Sequence, residues 1–461
     1  TAEVPVRALL LTLAAEEHVL VFVAHHVSVD GFSMRPLTTD LMISYEARCA
    51  GRAPSLPPLA VQYADYTLWH RSVVGSEDDP ASLAARQLDY WREQLADMPE
   101  RIELPIDRPR PAEEHYSGRS VQMLLPSELR RDLDALARAH GSTLFMVVHA
   151  AVAVLISRLS GSPDVVIGAP TAGRGEPALD DLIGMFVNSL MLRSNVDPTA
   201  TFVELLEETR ETDLSAFTHA DVPFERVTEA LDPRRSWLER PHLQVALSFQ
   251  NLGWSSLELS GVRVDPVDFE LGVAKYELHF TCEDFTDESG AAGLILSITY
   301  ATELFDEPTV FAIGDRLLRL LRAVAADPGV VVGDVVLVGD VEHRRLLRWG
   351  AARRVGVGIG TVSELLDAQV ELRSGAVAVS SGGVVSSGGV VLSFGEFGVR
   401  VARVARWLIS CGVGPERCVV VSMPRSVEMV VLVHAVVAAG GVVVPVDPDQ
   451  PEARRNHVVG V

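Results

Sequence analysis

The sequence predicts a mixed α/β fold, because strand-like and helix-like patterns of apolar residues alternate along the chain. Two neighbouring apolar runs, residues 6–13 and 18–24, are typical of paired strands. Between residues 79 and 98, apolar side chains recur at the spacing of an amphipathic helix, namely Leu83, Leu88, Trp91 and Leu95. These patterns together indicate sheets that pack against helices.

A helix is expected over about residues 33–48, after the two strands and a polar loop. Residues 104–116 are rich in proline and show no periodicity, which marks a crossover or a hinge. A strand around residues 121–125 comes next. A helix should then begin near Ser127 as its N-cap and end at Gly141 in the C′ position.

Residues 144–326 continue the mixed pattern. Residues 144–159 are nearly all apolar, so this helix should be buried. Thr201 and Glu204 fit the two ends of a capping box, which predicts a helix to about Ala216. The other expected elements are strands at residues 163–170, 243–249 and 294–300 and a helix at residues 309–326.

A second domain is expected to begin around residues 340–360, where the balance of charge changes. The whole chain has a formal charge of −22, whereas its last 111 residues contain 10 Arg and 9 Asp or Glu. Residues 430–446 include two glycines and a proline, so they predict a helix, a turn and a strand instead of a membrane span. The hexamer Ser-Ser-Gly-Gly-Val-Val occurs twice, at residues 380–385 and 386–391, and is interpreted as a duplication that lengthens a hairpin turn.

Composition limits the classes of function. The negative charge argues against a nucleic-acid partner, because binding to a phosphate backbone depends on Lys and Arg. The four cysteines lack the spacing of a disulfide framework or a metal site, which favours a reducing, cytoplasmic location. No signal-like leader opens the chain, and it starts at Thr1 within a strand-like pattern. We therefore expect a soluble piece of a longer chain, without membrane contact.

The loop after the second apolar run contains the main candidate site residues, which are His25, His26, Asp30 and Gly31. If the strand persists that far, the two histidines point to opposite faces, so one should be buried and the other free to act. Asp30 supplies a carboxylate, and Gly31 allows close approach of the backbone to a ligand. The loop therefore predicts a base beside an anchoring carboxylate.

This loop resembles the HHxxxDG signature of the condensation domains of nonribosomal peptide synthetases, which are relatives of chloramphenicol acetyltransferase. Further motifs of that family follow in the same order and cover about residues 1–340. Residues 63–69 resemble YxDYAxW, residues 183–189 resemble IGxFVNT, residues 219–225 resemble HQDxPFE with Ala220 in place of Gln, and residues 235–241 loosely match the last motif.

Residues 392–397 and 439–448 resemble two early motifs of an adenylation domain, LTYxEL and KAGxAYVPVDP. The chain stops before the loop that would hold the phosphates of ATP. The resemblance implies two chloramphenicol acetyltransferase-like lobes in a V around a central tunnel, with the first lobe truncated, and then the N-terminal piece of an adenylate-forming α/β domain. We expect a partial N-lobe over residues 1–105, a C-lobe over 106–340, a linker over 341–360 and a truncated adenylation domain over 361–461.

The resemblance also implies a reaction, in which the amine of an acceptor aminoacyl thioester attacks a donor acyl or peptidyl thioester to form a peptide bond. His26 would be the base or orienting residue, since imidazole titrates near neutral pH. His25 would pack inward, Asp30 would be tied to Arg174, and Gly31 would present its N–H group to the developing oxyanion.

The other motif residues would have supporting roles. Tyr63 and Trp69 are expected to pack the lobe or to reach the tunnel, and Asn188 to supply a polar group to the tunnel or to the lobe crossover. His219 is interpreted as a surface or capping histidine, and Asp221 as part of a turn.

No metal or cofactor is expected in the condensation domain itself. The substrates would arrive on phosphopantetheine arms of the upstream and downstream peptidyl carrier domains, and ATP and Mg would serve only a complete adenylation domain in the same polypeptide. Two alternatives remain within the fold: epimerisation of a carrier-bound residue, and a non-catalytic domain that docks carriers. A metal hydrolase that uses the loop histidines is disfavoured, because the two rings would face opposite ways.

Overall fold

The structure is a computed structural model that describes residues 4–111, 116–231, 243–250, 261–267, 271–286, 292–351, 360–381 and 390–460, together with residues 259, 269 and 290. The chain divides into two compact units, Thr1–Arg345 and Leu346–Val461. Both contain strands and helices, so the mixed α/β prediction is confirmed. The boundaries expected at residues 105, 340 and 360 stay predictions.

The first 105 residues contribute a two-stranded sheet and three helices. Strands β1 (Val6–Ala14) and β2 (Glu17–Ala24) pair antiparallel, as the two apolar runs predict. Helices α1 (Met34–Cys49), α2 (Tyr63–Val74) and α3 (Leu83–Gln94) follow. The helix predicted between residues 79 and 98 is thus α3, and its Leu88 and Trp91 are buried.

A six-stranded sheet organises the rest of the first unit. Its strands are β3 (Gly118–Leu125), β4 (Asp164–Thr171), β5 (Asn188–Asn195), β6 (Val245–Gln250), β7 (Leu278–Thr286) and β8 (Ala292–Ala301). Their spatial order is β3-β8-β7-β6-β4-β5. Strand β6 is parallel to both β4 and β7, and the other neighbours are antiparallel.

Both faces of this sheet carry helices. The helices are α4 (Ser127–Ala139), α5 (Leu144–Ser160), α6 (Phe202–Thr218), α7 (Phe224–Leu231) and α8 (Glu307–Ala326). Helices α4, α5 and α8 share the main hydrophobic core with one face. On the other face, α3 and α7 pack in a second core with β4 and β5. Val165 and Val166, adjacent on β4, enter different cores because neighbouring side chains of a strand alternate between faces.

The helix ends test the capping predictions. Thr201 and Glu204 form the predicted capping box at the start of α6. Gly141 has the positive φ of +59° expected after a helix end. The N-cap prediction for Ser127 is wrong, because Pro126 holds that position and Ser127 is the first helical residue. Strands β5 and β7 and helix α7 were not predicted.

The proline-rich crossover is fastened to the sheet along its described part. The side-chain amide of Gln244 accepts the N–H of Ile102 at 2.5 Å and donates to its carbonyl at 3.0 Å. The Arg110 guanidinium binds both carboxylate oxygens of Glu277 at 2.9 and 3.1 Å. The segment up to residue 111 is therefore an anchored crossover and not a free hinge.

The second unit begins within helix α9 (Asp340–Gly350). The elements after it are α10 (Val362–Leu372), β9 (Val377–Ser381), β10 (Val390–Ser393), α11 (Phe394–Ser410), β11 (Cys418–Val421), α12 (Val427–Ala438), β12 (Val442–Pro445) and α13 (Glu452–Val459). Helices α11 and α12 share a small core. The predicted helix, turn and strand at residues 430–446 are confirmed by α12 and β12, whereas most of the tandem hexamer lies outside the described residues.

The described residues contain neither a single helix that could span a membrane nor a cluster of metal-ligating side chains. No single helix among the described residues is both long enough and apolar enough to cross a membrane. Helices α4 and α5 meet these criteria only when they are taken together, and the pair is bent by 101°. Within the same residues, no group of three or more His, Cys, Asp or Glu side chains could hold a metal ion.

Candidate active site

Asp30 is the buried centre of the loop that joins β2 to α1. Its side chain is fully excluded from solvent, yet its carboxylate is bonded on both oxygens. Oδ1 accepts from Arg174 Nη2 at 3.0 Å and from the Ser33 N–H at 2.8 Å, and Oδ2 accepts from the Phe186 N–H at 3.0 Å. A buried charge needs such partners, so the carboxylate is fixed in place.

Arg174 comes to this carboxylate from the segment that follows β4. Its other terminal nitrogen donates to the carbonyls of Leu179 and Leu182, and its guanidinium lies 4.1 Å from the centre of the Phe186 ring. Gly173 turns the chain here with a φ of +64°, and a Cβ atom at this position would lie only 2.0 Å from the Phe186 carbonyl oxygen. The pairing of Asp30 with Arg174 that the resemblance implies is present.

Ser33 completes the anchor and was missed in the sequence analysis. Its side chain is fully buried. The hydroxyl oxygen lies 2.8 Å from Asp30 Oδ1 and 2.9 Å from the Gly184 carbonyl, and it accepts the Gly184 N–H at 3.1 Å and Arg174 Nη2 at 3.2 Å. One hydroxyl therefore links the loop, the arginine and the segment before β5. Its place three residues after Asp30, at the start of a helix, is the signal that could have identified it.

An aromatic group packs on the other side of this segment. The Tyr63 hydroxyl donates to the Met185 carbonyl at 2.6 Å, and the Tyr63 and Tyr66 rings lie 5.1 and 4.7 Å from that of Phe186. Gly184 is required here, because a Cβ atom would lie 2.2 Å from the Tyr63 ring. Burial, and next the charge of Asp30, raise the pKa of the Tyr63 phenol, while Arg174 opposes them. Tyr63 thus packs against the segment that contains Gly184 and Phe186.

The two histidines differ from the expectation in their burial. Both are exposed, so the prediction that His25 packs inward is wrong. The physical reason is that neither face of the β1–β2 sheet is buried, so alternation along β2 would bury neither ring. The His25 ring instead folds over its own turn, where Nδ1 accepts the Val27 N–H at 3.1 Å. For His26, no ring hydrogen bond is found among the described residues.

Trp69 and Gly31 have more limited contacts. Trp69 is 47% exposed and its ring centre lies 6.2 Å from that of Tyr66, so it does not pack in the core, and the tunnel role expected as the alternative stays a prediction. It projects from α2 one turn past the aromatic group. The Gly31 carbonyl accepts the Met34 N–H at 3.2 Å, which helps to start α1.

Asn188 holds the loop that joins α6 to α7. Its amide nitrogen donates to the carbonyls of Ala220 and Val222 at 2.9 and 2.7 Å, and its oxygen accepts the Phe224 N–H at 2.9 Å. All of these bonds stay within the lobe, so Asn188 is engaged as a structural residue.

The same loop is held from the opposite side by α3. Gln87 donates to the Asp221 carboxylate at 2.7 Å, and the Trp91 indole donates to the His219 carbonyl at 2.9 Å. His219 caps α6, as predicted, with Nδ1 2.7 Å from the Ser215 carbonyl. The motif at residues 219–225 is thus a fixed turn. The last predicted motif, at residues 235–241, lies outside the described residues.

Comparisons with known proteins give a family match for each of two parts of the chain. Residues 1–347 match the condensation domain family, and residues 366–461 match the AMP-binding enzyme family. A probable non-canonical nonribosomal peptide synthetase, CymA of Salinispora arenicola, is 43% identical over 99% of this chain, which is 6% of that protein.

Among solved structures, the X-domain from teicoplanin biosynthesis is 32% identical, with a TM-score of 0.68 over 73% of this chain and 76% of that one. A complex of the X-domain and OxyB from the same biosynthesis gives a TM-score of 0.66 at 32% identity, over 73% of each chain. The chain spans between 6% and 19% of the length of the first three curated relatives that it matches. The chain belongs to the condensation domain family of nonribosomal peptide synthetases, and the start of an AMP-binding domain follows.

Proposed function

We propose that the first unit joins two carrier-bound substrates through an amide bond, with His26 as the catalytic residue. The acceptor amine nitrogen attacks the carbonyl carbon of the donor thioester and the C–N bond forms. The C–S bond then breaks, the nitrogen loses one proton, and the donor carrier's thiol takes one up. Because a thioester is already activated, positioning of the two tethered substrates supplies much of the rate, and His26 assists as base or orienting group.

The observation that carries this proposal is the difference between the two histidine rings. A backbone N–H can only donate, so the bond from Val27 requires an unprotonated Nδ1 on His25 and leaves the proton of the neutral ring on Nε2. The lone pair of the neutral His25 ring is thus engaged by its own turn. His26, in the same turn, is exposed, and no hydrogen bond to its ring is found among the described residues, so the catalytic role is assigned to it.

Asp30 is assigned to positioning. Its carboxylate oxygens already accept from a guanidinium and from two backbone N–H groups. Protonation of Asp30 would break its buried ion pair with Arg174, so Asp30 is unsuited to act as the base. Its role is to hold the loop so that His26 and the Gly31 N–H face the reacting carbonyl.

The partners in this proposal are the carrier domains that present both substrates on phosphopantetheine arms, and a complete adenylation domain that uses ATP and Mg. Residues 366–461, the last 96 residues of this chain, match the AMP-binding enzyme family. Their role in adenylation is therefore proposed for the longer synthetase and not for this chain alone.

The test compares His26→Asn with His25→Asn in a synthetase module that contains this chain, with both carrier domains loaded. Asn at position 25 can still accept the N–H two residues later, so the turn is kept. We expect His26→Asn to lower single-turnover amide formation by about 100-fold or more, and His25→Asn to change it only a few-fold. Amide formation at the wild-type rate by His26→Asn would refute the assignment.

A second candidate is a non-catalytic domain that docks another protein. It is favoured by one observation, the 32% identity to an X-domain whose solved complex contains OxyB. The same experiment distinguishes the two: a docking domain makes no amide in its wild-type form, whereas the first proposal requires product that depends on His26.

A further inference from the structure

A serine and a histidine form a close pair on the sheet, away from the loop of His26. Ser248 Oγ on β6 lies 2.6 Å from His279 Nε2 on β7. The two residues are diagonal neighbours, because Ser248 is opposite Thr281 and His279 is opposite Ala246. Ser248 is 8% exposed, and the pair lies on the face opposite the helices α4, α5 and α8.

The two rows of side chains that contain the pair are mostly polar and carry no charged group. Two successive rows cross the strands β6, β7, β8 and β3 on this face, and only one of their eight side chains is apolar. The first row is Ala246, His279, Thr299 and Ser120, and the second is Ser248, Thr281, Ser297 and Gln122. A sheet face that is covered by helices normally presents apolar side chains. Among the described residues, the core that α3 and α7 share with this face contains side chains of β4 and β5 and none of the eight in these two rows.

The pair is unsuited to act as a nucleophile with its base. Burial, and next the charge of Lys275, lower the pKa of His279 to about 4. A general base works best with a pKa near the operating pH, so this imidazole has little tendency to take the serine proton near pH 7. At that pH the pair consists of two neutral groups that offer hydrogen bonds without charge.

The register relates the pair to the strand that leads to Arg174. Gly168 of β4 is opposite Ala246 of β6. If the two parallel strands keep this register for two more residues, Ser248 is level with Pro170. Arg174, which holds Asp30, follows four residues after Pro170, a span of at most about 14 Å.

We propose that Ser248 and His279 form a specificity-determining subsite that hydrogen-bonds an uncharged hydroxyl or amide group on a substrate acyl chain. This inference rests on the proposed function for the identity of the substrates. The group can belong to the donor or to the acceptor, and the two sources are separated by the test.

The test measures binding, so that it does not depend on catalysis. The probes are stable amide analogues of seryl and alanyl pantetheine, with a free amine for the acceptor and an N-acetyl group for the donor. They are titrated calorimetrically against the module that contains this chain. We expect the wild type to bind one seryl probe about tenfold more tightly than its alanyl partner. Ser248→Ala should remove that preference, and Ser248→Thr, which keeps the hydroxyl, should retain it.

Two further variants control the result. His279→Phe should also remove the preference, whereas Ser120→Ala, which deletes a hydroxyl on the outer strand β3, should leave it unchanged. Equal binding of seryl and alanyl probes in both arms by the wild type, or an unchanged preference in Ser248→Ala, would overturn the subsite. Thermal unfolding of each variant reveals any loss of folding. Amide formation from the matching thioesters, with and without His26→Asn, tests the proposed function separately.

Discussion

Arg174 and Asp30 form an ion pair whose side chains are only 4% and 0% exposed. The pair connects residues 144 positions apart in the sequence, and it fixes the histidine loop to the segment that links β4 and β5. Exposed ion pairs contribute little to stability, but removal of one partner from a buried pair leaves the other charge without compensation. This contact should therefore dominate the response of the site to mutation.

Replacement of Arg174 by Met keeps most of the side-chain volume and removes the charge. We expect Arg174→Met to lower the free energy of unfolding by about 3 kcal/mol, as measured by urea denaturation. The matched control is Arg92→Met, because Arg92 pairs with Asp89 in an exposed bridge at 50% and 74% exposure. That change should cost less than about 1 kcal/mol. Equal effects of the two variants would contradict the importance of the buried pair.

Gly184→Ala should be destabilising because of the Tyr63 ring. The new methyl group would lie 2.2 Å from that ring, and an overpacked site costs about 2 kcal/mol. Gly175→Ala serves as the control, since a Cβ atom there has no neighbour within 4 Å. If the clash is the cause, the double variant Tyr63→Ala with Gly184→Ala will lose less stability than the sum of the single variants. Strict additivity would point to another cause.

Asn188→Leu should destabilise the turn at residues 219–225. It removes both donors and the acceptor that bind Ala220, Val222 and Phe224, and leaves their backbone groups without those partners. The expected loss is about 2 to 4 kcal/mol in the free energy of unfolding. Asn195→Leu, on the same strand at an exposed position, should change it by less than about 0.5 kcal/mol.

Stability should depend on pH through His279. Its pKa is about 4 in the folded protein against an ordinary 6.5, so the unfolded chain binds more protons between these values. This contribution is fully present above about pH 6.5 and is lost as the pH falls toward 4, to a total of about 3 kcal/mol. Other groups titrate in the same range, so the informative quantity is the difference between the wild type and His279→Gln.

That difference should shrink as the pH is lowered from 7.5 to 5, in parallel urea titrations. His343→Gln, at an exposed position on α9, is the control and should follow the wild-type pH dependence. A difference between wild type and His279→Gln that does not vary with pH would show that His279 titrates normally.

Local patterns predicted those elements whose signals lie within a few residues. The apolar runs before His25 gave β1 and β2, and Thr201 with Glu204 gave the start of α6, because strand pairing by a short turn and capping are local interactions. Strand β7 was missed although Leu278, Phe280 and Cys282 alternate with polar residues and are buried as that pattern predicts. Strand β5 begins at Asn188, within residues that were interpreted as a motif and not as a strand.

The contacts of the candidate site also differ in whether they could be predicted from the sequence. The contact of Asp30 with Arg174 followed from the family resemblance, whereas the roles of Ser33 and of the Phe186 N–H depend on segments more than 150 residues apart. Nothing local to Ser33 indicates that its hydroxyl meets Gly184. The burial of His25 was predicted wrongly because it required a buried face on the β1–β2 sheet, and both faces of this sheet are exposed.

The reach of Arg174 has a practical consequence for chimaeric synthetases. A recombination point placed anywhere between Ser33 and Arg174 would take the carboxylate from one parent and the guanidinium, with the carbonyls of Leu179 and Leu182, from the other. Exchange of residues 1–105 alone would therefore combine the histidine loop of one parent with the Arg174 segment of the other. A chimaera keeps this contact when both of its sides come from the same parent, including the hydroxyl at position 33 and the glycine at position 184.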